Sequence, residues 1–202
     1  MEQICWALTS LLCFPLVWLV WRFRIRGKLG TILTNFGILL FLLCWLWIPF
    51  TCQPRMEGLL SDILRVVGIP MFIFGVALGT KATLPLVRST GSDQTNPSEL
   101  LTKGVYGFAR HPIYTGCIVG YIGWALIWKA DYGLLLAPIG AVALWLQALA
   151  EEKYILEPKF GDRYRDYRKN TPGFSPFFLK IVLGALITVI LVSIVKGWVP
   201  LI

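Results

Sequence analysis

Six apolar runs, each close to the span of a bilayer's hydrocarbon core, constrain this chain more than any other feature. They fall at residues 4–21, 31–50, 61–79, 112–128, 133–152 and 179–198. A membrane-crossing helix needs about 20 apolar residues. In lipid every backbone polar group has to be bonded within its own segment, so such runs form helices. The expected fold is therefore all-α: a polytopic membrane helix bundle of about six transmembrane helices. Composition points the same way, because 56% hydrophobic and 15% charged residues leave too little polar surface to cover a soluble core of this size. Pro70 is expected to kink the third helix, and Pro112 suits the first position of the fourth. Lys129-Ala130-Asp131 provides a tight turn that makes helices four and five an antiparallel hairpin.

The net charge of +8 does not imply a nucleic-acid partner, because the basic residues sit at the ends of apolar runs. Fifteen of the nineteen Lys and Arg residues lie in segments 22–28, 80–110 and 153–180. The other four, Arg55, Arg65, Lys129 and Lys196, lie on the opposite side. Cytoplasmic loops carry the excess of positive charge, so both long polar segments are expected to face the cytoplasm and both termini to face away from it. Three units follow: helices one to three at 1–79, a catalytic core at 80–178, and a last helix at 179–202. Polar segments of this length are commonly functional, which places the expected cofactor pocket on the cytoplasmic side. The five cysteines form no CxxC pair and read as buried hydrophobes; a single histidine argues against a metal site. The N-terminus has neither the basic region nor the small-residue cleavage site of a secretory signal. The absence of a long internal repeat argues against a secondary transporter.

Two clusters carry candidate chemistry. The first runs from Ser98, Glu99, Leu100 and Leu101 through Tyr106 to Arg110, His111, Pro112, Ile113 and Tyr114, where a polar loop enters the fourth helix. Unpaired amides and the positive end of the helix dipole there suit an anionic cofactor group. The plainer reading is an interfacial belt that anchors a helix end. The second cluster is Glu151-Glu152, at the negative end of the fifth helix, where carboxylates are costly and functional by default. Snorkelling into water is its plainer reading. The hairpin brings His111 and the glutamates to the same end, so the clusters are expected to share one pocket. A third stretch, Phe160-Gly161-Asp162-Arg163-Tyr164-Arg165-Asp166-Tyr167 before Pro172 and Pro176, reads as a short amphipathic helix packed over that pocket.

The ordered pattern G-V-Y-x-x-x-R-H-P-x-Y-x-G, then E-E, then F-G-x-x-Y-x-x-Y, resembles the integral-membrane methyltransferases, among them isoprenylcysteine carboxyl methyltransferases and phospholipid N-methyltransferases. The resemblance covers about residues 96–178; the first three helices match only as generic apolar helices. It implies S-adenosylmethionine as cofactor. Ser98 to Leu101, Tyr106, Arg110 to Tyr114 and Glu152 are then cofactor-binding, and Glu151, Glu152 and His111 catalytic. Isoprenylcysteine members carry an arginine about one turn before the glutamate, where this chain has Ala148. An amine headgroup lipid or another small lipophilic acceptor, entering from the bilayer, is therefore the expected substrate, with isoprenylcysteine-type carboxyl methylation as the alternative. An amine has to lose a proton before attack, which Glu151 or Glu152 is expected to accept. Removal of His111 or Glu152 is expected to weaken cofactor binding without harming the fold. Two further alternatives are an NADPH-dependent sterol-type reductase, although no G-x-G-x-x-G fingerprint is present, and a non-enzymatic scaffold or transporter.

Overall fold

The computed structural model describes residues 13–23, 27–90 and 97–174, with single helical positions at 180, 184, 187 and 191. The first residues of the expected first helix, Cys5, and most of the expected sixth helix lie outside the described residues. The elements are α1 (Cys13–Arg22), α2 (Gly27–Trp47) with a 3-10 turn at Ile48–Phe50, α3 (Leu59–Thr90), a 3-10 turn at Gly104–Gly107, α4 (Pro112–Ile127), α5 (Asp131–Glu151), a π-helical turn at Glu152–Leu156, α6 (Glu157–Phe160) and α7 (Asp162–Asn170). Among the described residues the one β-like feature is an isolated bridge between Arg55 and Ala130. Among the described residues three helical segments are long and apolar enough to cross a membrane: Leu29–Phe50, Leu59–Ser89 and Asp131–Phe160. Pro112–Ile127 is apolar but shorter. The protein is an all-helical integral membrane protein.

Two polar segments differ from expectation. The third helix continues past Gly79 to Thr90, through both Pro70 and Pro85. The polarity of this extension is absorbed locally, because the Thr80 and Thr83 hydroxyls donate back to the Val76 and Gly79 carbonyls at 2.8 Å each. The fifth helix likewise continues through the π-helical turn and α6 to Phe160, so the charge-rich stretch after Glu152 begins as helix rather than loop.

The core forms where α2, α4 and α5 meet. Phe41, Cys44, Trp45 and Ile48 of α2 and its turn pack with Ile118, Ile122 and Leu126 of α4 and with Leu134, Ala137 and Leu144 of α5. The Trp45 indole lies against Gly140, where a Cβ would come within 2.4 Å of a ring carbon. Helix α3 stands largely outside this core. Only 11% of its apolar window is buried, against 50% for Asp131–Phe160, so lipid covers the rest.

Helix α3 is joined to α4 by close backbone approach. A Cβ on Gly75 would sit 2.4 Å from the Gly120 nitrogen, and one on Gly123 would sit 2.4 Å from the Phe72 nitrogen. A Cβ on Gly120 would meet nothing closer than 3.6 Å. Small residues allow this approach, and dispersion and weak polar contacts then hold helices that gain nothing from the hydrophobic effect inside lipid. Gly75→Ala is therefore expected to destabilise by about 1–3 kcal/mol, whereas Gly120→Ala is close to neutral. Thermal unfolding in one detergent tests this; equal losses from both substitutions would contradict the geometry.

At the end away from His111, the Gln53 side-chain Oε1 accepts from the Tyr132 and Gly133 amides at 3.0 and 3.2 Å and so caps α5. Lys129 takes a left-handed φ of 54° in the turn between α4 and α5, and the Ala130 amide closes that turn on the Ala125 carbonyl at 2.9 Å. Rings of Phe50, Trp124 and Trp128 cluster at centroid distances of 4.5–5.7 Å. At the other end, the Ser98 amide folds back onto the Ser89 carbonyl at 2.8 Å, bringing the loop after α3 beside the start of α4.

Candidate active site

Pro112 starts α4, and the chain just before it is held by the segment after α7. The Arg110 and His111 amides donate to the Pro172 and Gly173 carbonyls at 2.9 Å each. The unpaired amides expected at these positions are therefore taken by protein. The Arg110 side chain strengthens the same junction, donating through Nη1 to the carbonyls of Arg168 (3.0 Å) and Thr171 (2.5 Å). The Tyr167 hydroxyl donates to the Tyr106 carbonyl at 2.5 Å, and the Tyr106 hydroxyl donates to the Ala82 carbonyl at 3.1 Å. Helix α7 is thus strapped onto α3 and α4 across the site.

Glu152 is the hub. Its Oε1 accepts from Arg110 Nε at 3.0 Å and lies 3.0 Å from Arg110 Nη2 and 2.8 Å from His111 Nε2. The neighbouring Glu151 takes a different place. Its Oε2 accepts from the Tyr114 hydroxyl at 3.0 Å and lies 3.6 Å from His111 Nδ1. Successive carboxylates both reach one imidazole where α5 widens into its π-helical turn, a feature often found at functional sites. The His111 ring stacks on Tyr114 (5.6 Å, 13°) and is covered by Phe174 (5.8 Å).

Burial pushes the His111 pKa down, but hydrogen bonds and charge from Glu151 and Glu152 push it up further, leaving it above its usual 6.5. Burial pushes the Tyr167 hydroxyl up to about 12 and the Tyr106 hydroxyl higher still. A histidine raised above its unfolded value contributes stability that is full below pH 6.5 and is lost as pH rises through the folded pKa. The apparent Tm is therefore expected to fall as pH rises above 6.5, and His111→Gln to remove that slope. A flat wild-type profile in this window would contradict the pairing.

A cavity of about 590 Å³ opens beside these groups, within the size range of small-molecule sites. Of the residues singled out from sequence, all but Ser98 and Glu152 line it. Ser98 is turned onto the Ser89 carbonyl. Glu152 sits behind Arg110 and His111 and orients them, rather than facing the cavity. Sequence reasoning missed Thr34, Asn35 and Gln147, which also line the cavity; the available signal was a polar side chain inside an apolar run. A second cavity of about 290 Å³ shares Phe41, Leu42, Gly79, Cys117 and Leu144 with the first and runs deeper between the helices, to Trp45 and Phe72. Among the described residues no cluster of His, Cys, Asp and Glu is arranged to hold a metal ion.

Apolar helices that hold a largely apolar cavity, edged by Arg110, His111 and Glu151 and continuous with a second apolar cavity, define a membrane protein with a site built between its helices. The family model described as phospholipid methyltransferase matches residues 63–163, half of the chain, and the chain belongs to that integral-membrane methyltransferase family. The match begins inside α3, so the family region reaches one helix earlier than the motifs alone suggest. The chain is 30% identical over 151 residues to protein-S-isoprenylcysteine O-methyltransferase of Rattus norvegicus (68% of this chain, 51% of the relative). It is 28% identical over 137 residues to the Xenopus laevis protein of the same name (65% and 48%). It is 31% identical over 84 residues to methanethiol S-methyltransferase 1 of Bradyrhizobium diazoefficiens (42% and 28%). The chain spans about half the length of the isoprenylcysteine relatives it matches. No solved structure matches it.

Proposed function

We propose that this protein transfers a methyl group from S-adenosylmethionine to a lipophilic acceptor at the cytoplasmic face of a membrane. The observation that carries this reading is the continuity of the cavity that Glu151 lines with a deeper apolar cavity, which it meets at Phe41, Cys117 and Leu144. The groups present fit a sulfonium nucleoside: the Glu151 carboxylate, 23% exposed at the cavity, and the Tyr114 ring favour a cationic centre. Arg110, His111, Tyr106 and the Glu99–Leu101 stretch supply the surrounding polar and apolar wall. S-adenosylmethionine, when bound, supplies a methyl group already activated by its sulfonium charge. The protein's own task is then alignment and exclusion of water. Tyr114 fixes Glu151 by hydrogen bond, and the Arg110–His111–Glu152 cluster fixes the start of α4 against α5. Glu151 is the group placed to accept a proton from an amine acceptor, because Glu152 Oε1 is already surrounded by Arg110 and His111.

The basic segments supply the orientation, with α7 and the start of α4 in the cytoplasm and both termini on the other side. Residues 80–178 act as the catalytic core, to which α3 contributes its last turns, with 1–79 and 179–202 flanking it. A six-helix count and a lipid-side entry for the acceptor belong to the same reading. Isoprenylcysteine-type carboxyl methylation is the second reading, favoured by the names of the relatives. Family membership argues against the reductase and scaffold alternatives.

The test is ligand stabilisation of the purified full chain. S-adenosylhomocysteine is expected to raise the apparent Tm and NADPH to leave it unchanged. Stabilisation by NADPH alone, or by neither, would overturn the reading.

A further inference from the structure

Helix α5 carries one uncharged polar side chain in its buried stretch that the mechanism above leaves unused. Gln147 is 7% exposed and lines the larger cavity, four residues before Glu151 and therefore about 6 Å deeper into the helix bundle. On α2, Thr34 is 2% exposed and lines the same cavity, and its hydroxyl is buried without a hydrogen-bond partner among the described residues. The two helices run antiparallel, and the Trp45–Gly140 contact sets their register. At equal rise, Thr34 then lies level with Glu151, and Ile38 level with Gln147. Polar side chains kept unsatisfied inside an apolar bundle are costly and mark a ligand-facing position.

The charges around these groups are one-sided. Among the described residues the charged or titratable side chains lining the cavity are Glu99, Arg110, His111, Glu151, Cys117 and three tyrosines. Arg110 and His111 are both turned onto Glu152. Position 148, one turn before Glu152, is alanine. Among the described residues, a carboxylate entering beside Gln147 meets the Glu151 carboxylate and no uncommitted cation, whereas an ammonium meets a counter-charge. Below this level the apolar second cavity begins at Phe41, Cys117 and Leu144.

We propose that Gln147 and Thr34 form the acceptor-headgroup subsite, which selects an amine over a carboxylate while the smaller cavity takes the hydrocarbon tail. The proposal rests on the methyl-transfer reading. The step it serves balances. The ammonium gives its proton to Glu151, the freed nitrogen lone pair forms the N–CH3 bond, and the C–S bonding pair stays on sulfur, leaving S-adenosylhomocysteine.

Two probes with the same tail test it: S-farnesylcysteamine, an amine, and S-farnesyl-3-mercaptopropionate, a carboxylate, each offered with labelled S-adenosylmethionine to the full chain in phosphatidylcholine nanodiscs. The wild type is expected to methylate the amine in preference. Gln147→Leu and Thr34→Val are expected to lower kcat/KM for the amine, the former by about tenfold, with S-adenosylhomocysteine affinity unchanged. Gln147→Arg is expected to reverse the preference. S-adenosylhomocysteine binding also reports that each variant is folded. An amine kcat/KM within about twofold of wild type in Gln147→Leu would overturn the subsite, since the loss of even one hydrogen bond exceeds that. So would a wild type that prefers the carboxylate, or one that binds S-adenosylhomocysteine and methylates neither probe. A wild type that does not bind S-adenosylhomocysteine removes the methyl-transfer reading, and the subsite with it.

Discussion

Replacing Glu152 by alanine is expected to cost about 3–5 kcal/mol of stability, because it strands the buried Arg110 guanidinium and takes from His111 one of its two carboxylate partners. Arg110 and His111 both direct nitrogens at the same Glu152 oxygen, and their side chains are only 11% and 4% exposed. Without that oxygen, the Arg110 guanidinium loses its buried counter-charge and the His111 imidazole keeps only the Glu151 carboxylate. The Arg110 side chain also carries the Arg168 and Thr171 carbonyls, so the strap of α7 over the site loosens with it. For a chain of this size the loss corresponds to a fall in Tm of about 6–20 °C. Glu152→Gln keeps an acceptor oxygen and is expected to lose less. Thermal unfolding of both variants in the same detergent decides it. An alanine variant that melts with the wild type would show that the cluster carries no stability. The expectation drawn from sequence, that Glu152 can be removed without harm to the fold, makes the opposite prediction, and the same melt decides between them.

The contrast between Glu151 and Glu152 shows what was legible in the sequence. Adjacent carboxylates at the end of an apolar helix announce a site, but nothing in one dimension separates their roles. The π-helical turn that begins at Glu152 does so, leaving one carboxylate behind His111 and the other at the cavity. Helix existence was legible from run length, and the α4–α5 hairpin from Pro112 and the Lys129 turn, because each depends on local chemistry. The end of α3 was not legible: Thr80 and Thr83 look like loop residues until their hydroxyls are seen bonding back to Val76 and Gly79. Gln147 was not legible either, since a polar residue in an apolar run acquires meaning only once the face it occupies is known.

Glu151→Gln is expected to lower kcat for an amine acceptor by about 10²–10⁴ while costing less stability than Glu152→Ala, since His111 loses the Glu151 charge but keeps Glu152. The amide keeps an oxygen for the Tyr114 hydroxyl and is too weakly basic to take a proton, so the change removes base function with little change of shape. Its side chain is partly exposed, and the Arg110–His111–Glu152 hydrogen bonds do not pass through it. Removing the carboxylate also weakens the counter-charge proposed for the donor, so S-adenosylhomocysteine affinity, which reports the neutral thioether, is the control that isolates proton transfer. The same variant separates the two readings of the acceptor. A carboxylate nucleophile is already ionised and needs no base, so under carboxyl methylation Glu151→Gln keeps its kcat, or gains through the loss of a repelling charge. Undiminished methylation of an amine by Glu151→Gln would remove Glu151 as the base and, because Glu152 does not line the cavity, would leave Glu99 as the one carboxylate lining it among the described residues.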